Sequence, residues 1–242
     1  SPEELFEQSR QYWKSWVNKH QFHFYNLTDE VVDFFKRSLL TIKTQIDNRG
    51  AILASTDSGL LQFNKDTYSY MWPRDGAFIA MTLSKAGYID PPRKFFNFCK
   101  EVLTEGGYLL HKYRPDKSVG SSWHPWIKNN KQQLPIQEDE TALVLYALWK
   151  HFEYHNDLEY IETLYHPLIR KMADFLYEFR DQNTKLPMPT YDLWEEKFGV
   201  STFTAASVYA GLVSAKKFAE VFGDVDVEKK YDKASKEIKE AI

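Results

Sequence analysis

From Asp139 to Phe222 the chain reads DETALVLYALWKHFEYHNDLEYIETLYHPLIRKMADFLYEFRDQNTKLPMPTYDLWEEKFGVSTFTAASVYAGLVSAKKFAEVF. Leu143, Val144, Ala147, Leu148 and Phe152 recur at helical spacing and predict a helix from Asp139 to about Tyr154. A second helical run extends from Asp157 to about Phe179. An interruption is expected at Pro167, because proline lacks the N–H that an interior turn donates. The next segment, about 181–203, has no such period and is broken by Pro, Gly and Asn. Helical spacing resumes over Thr204–Phe222, with Ala205, Ala206, Ala210, Gly211 and Ala215 small on one side and Gly223 as a stop. The unit is helix, helix, long loop, helix.

The same unit extends outward. Toward the N-terminus, helices are predicted from Gly76 to about Ala86 and from Asp90 to about Leu103. Thr28 is placed to cap a further helix carrying Val31, Val32, Phe35, Leu39 and Ile42. Ser1-Pro2-Glu3-Glu4 reads as a capping box opening a lead-in helix with Trp13 and Trp16. Toward the C-terminus, Val227, Tyr231, Ala234, Ile238 and Ile242 keep helical spacing with no stop signal, which predicts that the natural chain continues. Long loops at about 47–75, 105–138 and 181–203 follow alternate helices, the arrangement in which a helical scaffold carries function on its loops. Ala51–Ser55 and Gly59–Phe63 read as the strands of a small hairpin in the first loop.

Composition narrows the function. The 242 residues carry a net charge of -3, which argues against nucleic acid as partner. No run of about 20 apolar residues is present, so no membrane partner is expected. The single cysteine, Cys99, leaves no intramolecular disulfide or Cys-based zinc site, and the seven histidines show no ligand spacing, so neither metal nor cofactor is expected. The lone cysteine and the lack of a signal segment point to the cytoplasm, although the chain opens on Ser and its true start is open. Aromatic residues make up 16% of the chain, and many of them stand in the long loops. Such rings are platforms for flat, CH-rich ligands.

In the first loop, Tyr68, Tyr70 and Trp72 precede Arg74-Asp75. Asp75 suits a cap for the helix at Gly76, and the Arg–Asp pair also offers donors and acceptors to vicinal hydroxyls. The second loop holds Trp123 and Trp126, then Gln137-Glu138-Asp139-Glu140, whose acids suit a helix N-terminus. The third holds Tyr191-Asp192-Leu193-Trp194-Glu195-Glu196. Adjacent glutamates are ordinarily solvated surface. Beside Trp194, an apolar neighbour favours the protonated carboxyl that a glycosidase general acid needs. Two adjacent residues cannot form an inverting acid–base pair, whose carboxyls stand about 6.5–9.5 Å apart.

These three loops, in this order, resemble glycoside hydrolase family 15, the glucoamylase family, in its prokaryotic form. Tyr68-x-Tyr70-x-Trp72-x-Arg74-Asp75 is similar to its first signature, and Ser122-Trp123 with Pro135-Ile136-Gln137-Glu138-Asp139-Glu140-Thr141-Ala142 to its second. Tyr191-Asp192-Leu193-Trp194-Glu195-Glu196 matches the third almost letter for letter. The resemblance implies an all-α, (α/α)6 barrel of the six-hairpin glycosidase type, about half of it present here. It implies a linker helix over 1–20, which in this family joins an N-terminal β-sandwich, and a truncated catalytic domain over 21–242. It implies inverting, exo-acting hydrolysis of α-glucosidic bonds in starch, maltooligosaccharides or a disaccharide. By position, Glu195 is the general acid. Tyr68, Trp72, Arg74, Asp75, Trp123, Gln137, Asp139, Trp194 and Glu196 bind or support the sugars. The family's general base is a glutamate near the end of the barrel, which has no counterpart before Ile242. The isolated chain is therefore expected to be inactive. The same scaffold and acid motif serve trehalases, and a non-catalytic, regulatory carbohydrate-binding relative is the reading from another class.

Overall fold

A computed structural model describes residues 1–20, 22–57, 67–123 and 125–242. Helix α1 (Pro2–Val17) opens with the expected capping box: the Ser1 hydroxyl accepts from the Glu4 N–H and the Glu4 carboxylate returns to the Ser1 amine. Helix α2 (Asp29–Thr44) follows. Thr28 stands at its N-cap without making the side-chain bond expected of it. Helix α3 (Pro73–Lys85) begins earlier than the Gly76 start read from the sequence, because proline at the first helical position brings the chain in with φ already set. Asp75 therefore lies inside the first turn rather than capping it.

Helices α4 (Asp90–Val102) and α5 (Glu138–His155) come next. The run after Asp157 is one helix in three parts: α6 (Leu158–Leu164), a π-helical turn (Tyr165–Arg170) and α7 (Lys171–Glu178). Pro167 sits in the π turn, so the missing donor widens one turn instead of ending the helix. Helix α8 (Thr202–Val221) leads through Gly223, at φ 69°, into α9 (Val225–Ala241).

Helices α3, α5 and α8 pack side by side, with α4, the α6–α7 rod and α9 laid over them. Helices α5 and α8 are buried on more than one side, whereas α2 and α9 bury one face. The core runs through Phe95, Phe96 and Phe98 of α4, Leu145 and Leu148 of α5, Leu168, Met172 and Leu176 of the rod, and Leu212 and Phe218 of α8. Each such side chain contributes about 1.5–3 kcal/mol on full burial. Cys99 is buried among them, and its burial pushes the thiol well above its ordinary range. A Cβ on Gly211 would stand 2.9 Å from the Ala142 carbonyl oxygen, so glycine permits the close α5–α8 approach. A smaller cluster of Val17, Leu39, Leu83 and Tyr88 docks the end of α1 and one face of α2 against α3. No helix among the described residues is long and apolar enough to cross a membrane.

The loops before α3, α5 and α8 deliver their C-terminal ends to the N-termini of these three helices. Two short hairpins brace them, β1 (Ile127–Lys128) with β2 (Lys131–Gln132) and β3 (Thr190–Tyr191) with β4 (Phe198–Gly199), both antiparallel. Of the hairpin expected in the first loop, Gly59–Phe63 lies outside the described residues. Ala54 and Ser55 donate their N–H groups to the carbonyls of Tyr70 and Tyr68.

Candidate active site

Backbone pairing joins the first loop to the second. Met71 and Tyr113 exchange N–H···O bonds of 2.8 and 2.9 Å, and the Gly120 N–H reaches the Lys112 carbonyl at 2.9 Å. Asp57 gathers the turn before Tyr68. Its carboxylate accepts from the Thr67 and Ser69 hydroxyls and from the Tyr68 N–H, and these bonds, Thr67's foremost, hold it below the usual carboxylate range.

This pairing brings three rings together. Tyr68, Trp72 and Trp123 have centroids 5.4–5.8 Å apart. The buried Lys112 ammonium lies 3.5 Å over the Trp123 ring and 5.1 Å over Trp72, a cation–π arrangement backing the rings. Trp72 is 6% exposed, but Tyr68 is 56% and Trp123 43% exposed, so the cluster presents aromatic surface outward. With Arg74, Asp75, Trp194 and Glu195, the three rings line a cavity of about 200 Å³.

Behind the cavity lies a charged layer. Arg74 Nη1 donates to Gln137 Oε1 at 2.5 Å and to Asp139 Oδ2 at 3.0 Å, with Glu140 Oε1 at 3.6 Å. Its Nε stands 3.6 Å from Asp75 Oδ2. Burial alone would lower the guanidinium, but Glu140 and Asp139 outweigh it and hold it above its ordinary value. Glu138, Asp139 and Glu140, in the first turn of α5, are fully buried. Burial pushes the Asp139 carboxyl up, with Arg74 opposing it, and pushes Glu138 and Glu140 well above the carboxylate range, toward the neutral acid. Arg74 thus faces Asp139 and Glu140 at the N-terminus of an inner helix, while Arg180 is the cation acting on Glu138.

The third loop is the turn of the β3–β4 hairpin. Asp192 organises it: Oδ1 accepts the N–H groups of Trp194, Glu196 and Lys197 at 3.2, 3.0 and 3.3 Å. The Asp192 carbonyl takes the Glu195 N–H at 2.9 Å. Inside this cradle Glu195 adopts φ 57°, the left-handed region that costs a side-chain-bearing residue about 1–3 kcal/mol. Its Oε1 accepts from Gln137 Nε2 at 3.2 Å, which links the third loop to Arg74.

Residues 31–242 match the family model described as Glycosyl hydrolases family 15. The chain belongs to glycosyl hydrolases family 15. It is 27% identical over 237 residues to an uncharacterized glycosyl hydrolase of Methanocaldococcus jannaschii, covering 97% of this chain and 35% of that protein. It is 24% identical over 228 residues to Trehalase 2 of Sulfolobus acidocaldarius, covering 85% of this chain and 38% of that protein. Among solved structures, a bacterial glucoamylase complexed with acarbose superposes at a TM-score of 0.66 with 23% identity, over 85% of this chain and 28% of that one. The chain thus spans little more than a third of the curated relatives it matches, and its fold matches part of the glucoamylase (α/α)6 barrel.

Within this family 15 chain, the residues singled out from the sequence fall into three groups. Tyr68, Trp72, Arg74, Asp75, Trp123, Trp194 and Glu195 line one cavity. Gln137 and Asp139 are fully buried behind Arg74. Glu196 is exposed and is not among the residues lining the cavity. Trp126 also stands apart from that wall: it packs on His111 and Tyr191, and its indole N–H donates to the Ser122 hydroxyl at 2.9 Å, joining the second loop to the third. Sequence reasoning did not single out Lys112 or Asp192. Lys112 carries no local signal, whereas Asp192 sits two residues before Trp194 in the third loop, the spacing of an Asx turn.

Proposed function

We propose that this chain carries the sugar-gripping part and the general acid of an inverting exo-acting α-glucoside hydrolase, which releases β-glucose from the non-reducing ends of α-glucans as glucoamylases do. The observation that carries this is the single cavity joining Glu195 to Arg74, Asp75 and the rings of Tyr68, Trp72 and Trp123. The aromatic faces meet the C–H faces of the terminal glucose. Arg74 donates to its hydroxyls and the half-exposed Asp75 carboxylate accepts from them. Trp194, 74% exposed, flanks the acid, and Glu196 reaches toward the next sugar. Gln137 and Asp139 support Arg74 from behind.

In this reading the Glu195 carboxyl proton passes to the glycosidic oxygen, which leaves with the electrons of the C–O bond. A water, deprotonated by a second carboxylate on the opposite face, attacks the anomeric carbon and inverts it. The family resemblance, in which the base is a glutamate near the end of the barrel, leads us to assign the base to a carboxylate outside these 242 residues, in keeping with the partial span of the relatives. The isolated chain is then inactive, and multiple turnovers by it alone would overturn that assignment. We further read α1 as the linker helix of 1–20 and the rest as catalytic domain. The likeness to a trehalase favours a second reading, in which the substrate is trehalose.

The test is a proton NMR time course of the full-length protein with maltotetraose and, separately, trehalose. Early β-glucose from maltotetraose is the expected result. β-Glucose from trehalose alone selects the second reading. Early α-glucose from maltotetraose, or no product from either sugar, refutes the proposal; from trehalose, inversion gives one β- and one α-glucose, because the leaving glucose keeps its α configuration.

A further inference from the structure

The three rings of the cavity wall are not held alike. Trp72 is 6% exposed and leads directly into α3. The Trp123 ring has the Lys112 ammonium 3.5 Å over it. Tyr68 is 56% exposed, and its ring touches the other two only at a tilt or an edge, at 5.8 and 5.4 Å. Its main chain is what fixes it. The Tyr68 N–H donates to the Asp57 carboxylate, 3.1 Å from Oδ1 and 3.2 Å from Oδ2. The Tyr68 carbonyl accepts the N–H groups of Ser55 at 3.1 Å and Tyr70 at 2.7 Å. Asp57 Oδ1 also accepts the Thr67 hydroxyl and, at 2.9 Å, the Ser69 hydroxyl. The residue before Tyr68 and the residue after it therefore end on the same carboxylate oxygen as Tyr68 itself. From Met71 onward the loop is held separately, by the exchange of bonds with Tyr113.

Resting on the hydrolase reading above, we infer that Asp57 is a positioning residue: by closing on Thr67, Tyr68 and Ser69 it holds the Tyr68 ring in the wall before the sugar arrives. Asp57 is not among the residues lining the cavity, so it acts through Tyr68 and not on the ligand. A tyrosine whose main chain is fixed has two side-chain torsions left to settle, and Trp72 and Trp123 flank this one. Without Asp57, the three residues of the turn lose their common acceptor. The half-exposed ring then samples water-facing rotamers and has to be ordered on binding. That ordering lowers affinity for substrate and transition state alike. The damage stays local, because the Met71–Tyr113 pairing and the buried Trp72 do not depend on this carboxylate.

The experiment is a double-mutant cycle in the full-length protein, with Asp57→Ala and Asp57→Asn each made in the wild type and in Tyr68→Ala, and initial rates read on maltotetraose. Immobilising one side chain predicts a fall in kcat/KM of roughly 3- to 10-fold for Asp57→Ala. Asp57→Asn should recover most of it, because Oδ1 alone reaches all three donors. In Tyr68→Ala, adding Asp57→Ala should change kcat/KM by less than about twofold, because the ring it positions is gone. Equal losses in the two backgrounds, or wild-type rates in Asp57→Ala, overturn the inference. A second readout needs no sugar. Near-ultraviolet circular dichroism reports the mutual orientation of aromatic rings, and the difference between wild type and Tyr68→Ala isolates the part that Tyr68 contributes. Asp57→Ala should lose most of that part while keeping the wild-type unfolding midpoint to within a few degrees. A full Tyr68 contribution in Asp57→Ala overturns the inference even if the protein hydrolyses no glucan, and so does a collapse of the midpoint, which would place Asp57 in support of the fold. A wild type inactive on both sugars overturns the hydrolase reading and leaves this second readout standing.

Discussion

Replacing Asp192 with alanine should disable the enzyme far more than it destabilises the fold. One Asp192 oxygen accepts three backbone N–H groups, at 3.2, 3.0 and 3.3 Å, in a loop whose tip is exposed. Solvent screening reduces each bond to roughly 0.5–1 kcal/mol net, so the set contributes on the order of 2–3 kcal/mol to the loop conformation. That is comparable with the roughly 1–3 kcal/mol cost of holding Glu195 at φ 57°. With Asp192 intact the two terms balance and the left-handed conformer persists. Without it, the exposed amides turn to water and Glu195 relaxes toward negative φ, which swings its carboxyl away from Gln137. A shift of 1.4–2.8 kcal/mol against the competent conformer lowers kcat/KM by roughly 10- to 100-fold. The unfolding midpoint should fall by only a few degrees, because no core contact is lost.

The assay pairs initial rates on maltotetraose with thermal unfolding, for Asp192→Ala and Asp192→Asn in the full-length protein. Asparagine keeps an Oδ1 acceptor in place and should recover most of the activity. Wild-type rates in Asp192→Ala, or equal losses in both variants, would refute the reasoning. A collapse in the unfolding midpoint would refute it as well, because it would mean that Asp192 supports the fold rather than the acid.

Glu195→Gln should lose nearly all hydrolysis while keeping the wild-type unfolding midpoint, because an amide has no proton to deliver; near-normal turnover would remove Glu195 from its role. His151, buried with its Nδ1 2.8 Å from the Ser84 hydroxyl, is pushed down to about 3 by burial, with His155 and Arg93 adding to the shift. Its neutral form is the folded one, so its stabilisation is complete above the ordinary value of 6.5 and is lost as pH falls toward 3. Unfolding midpoints measured across that window should fall less steeply in His151→Gln than in the wild type, and parallel curves would exclude the histidine. Gly211→Val should lower stability by about 1–3 kcal/mol in urea titration, because its side chain meets the Ala142 carbonyl where α8 crosses α5; an unchanged midpoint would show that the crossing can open.

What was legible in the sequence was whatever repeats locally or punctuates locally. Apolar spacing marked the helices to within a few residues, as at Asp90–Val102 and Val225–Ala241, because one face of each must enter a core. Gly- and Pro-rich interruptions marked the three long loops, and the letters around Arg74, Gln137 and Glu195 carried the family. Tertiary structure decided the rest. Trp123 and Trp126 stand in one loop three residues apart, yet one joins the cavity wall and the other braces Tyr191, since the choice depends on what packs beneath each ring. Glu138, Asp139 and Glu140 read as an ordinary acidic helix start, and only the packing of α5 between α3 and α8 buries all three and sets Asp139 and Glu140 against Arg74. Gln137 acquires its orientation from a partner 63 residues before it and hands it to one 58 residues after it. Periodicity is a property of neighbours along the chain. Hydrogen-bond direction, burial of charge and backbone strain belong to neighbours in space, and these exist only once the helices have packed.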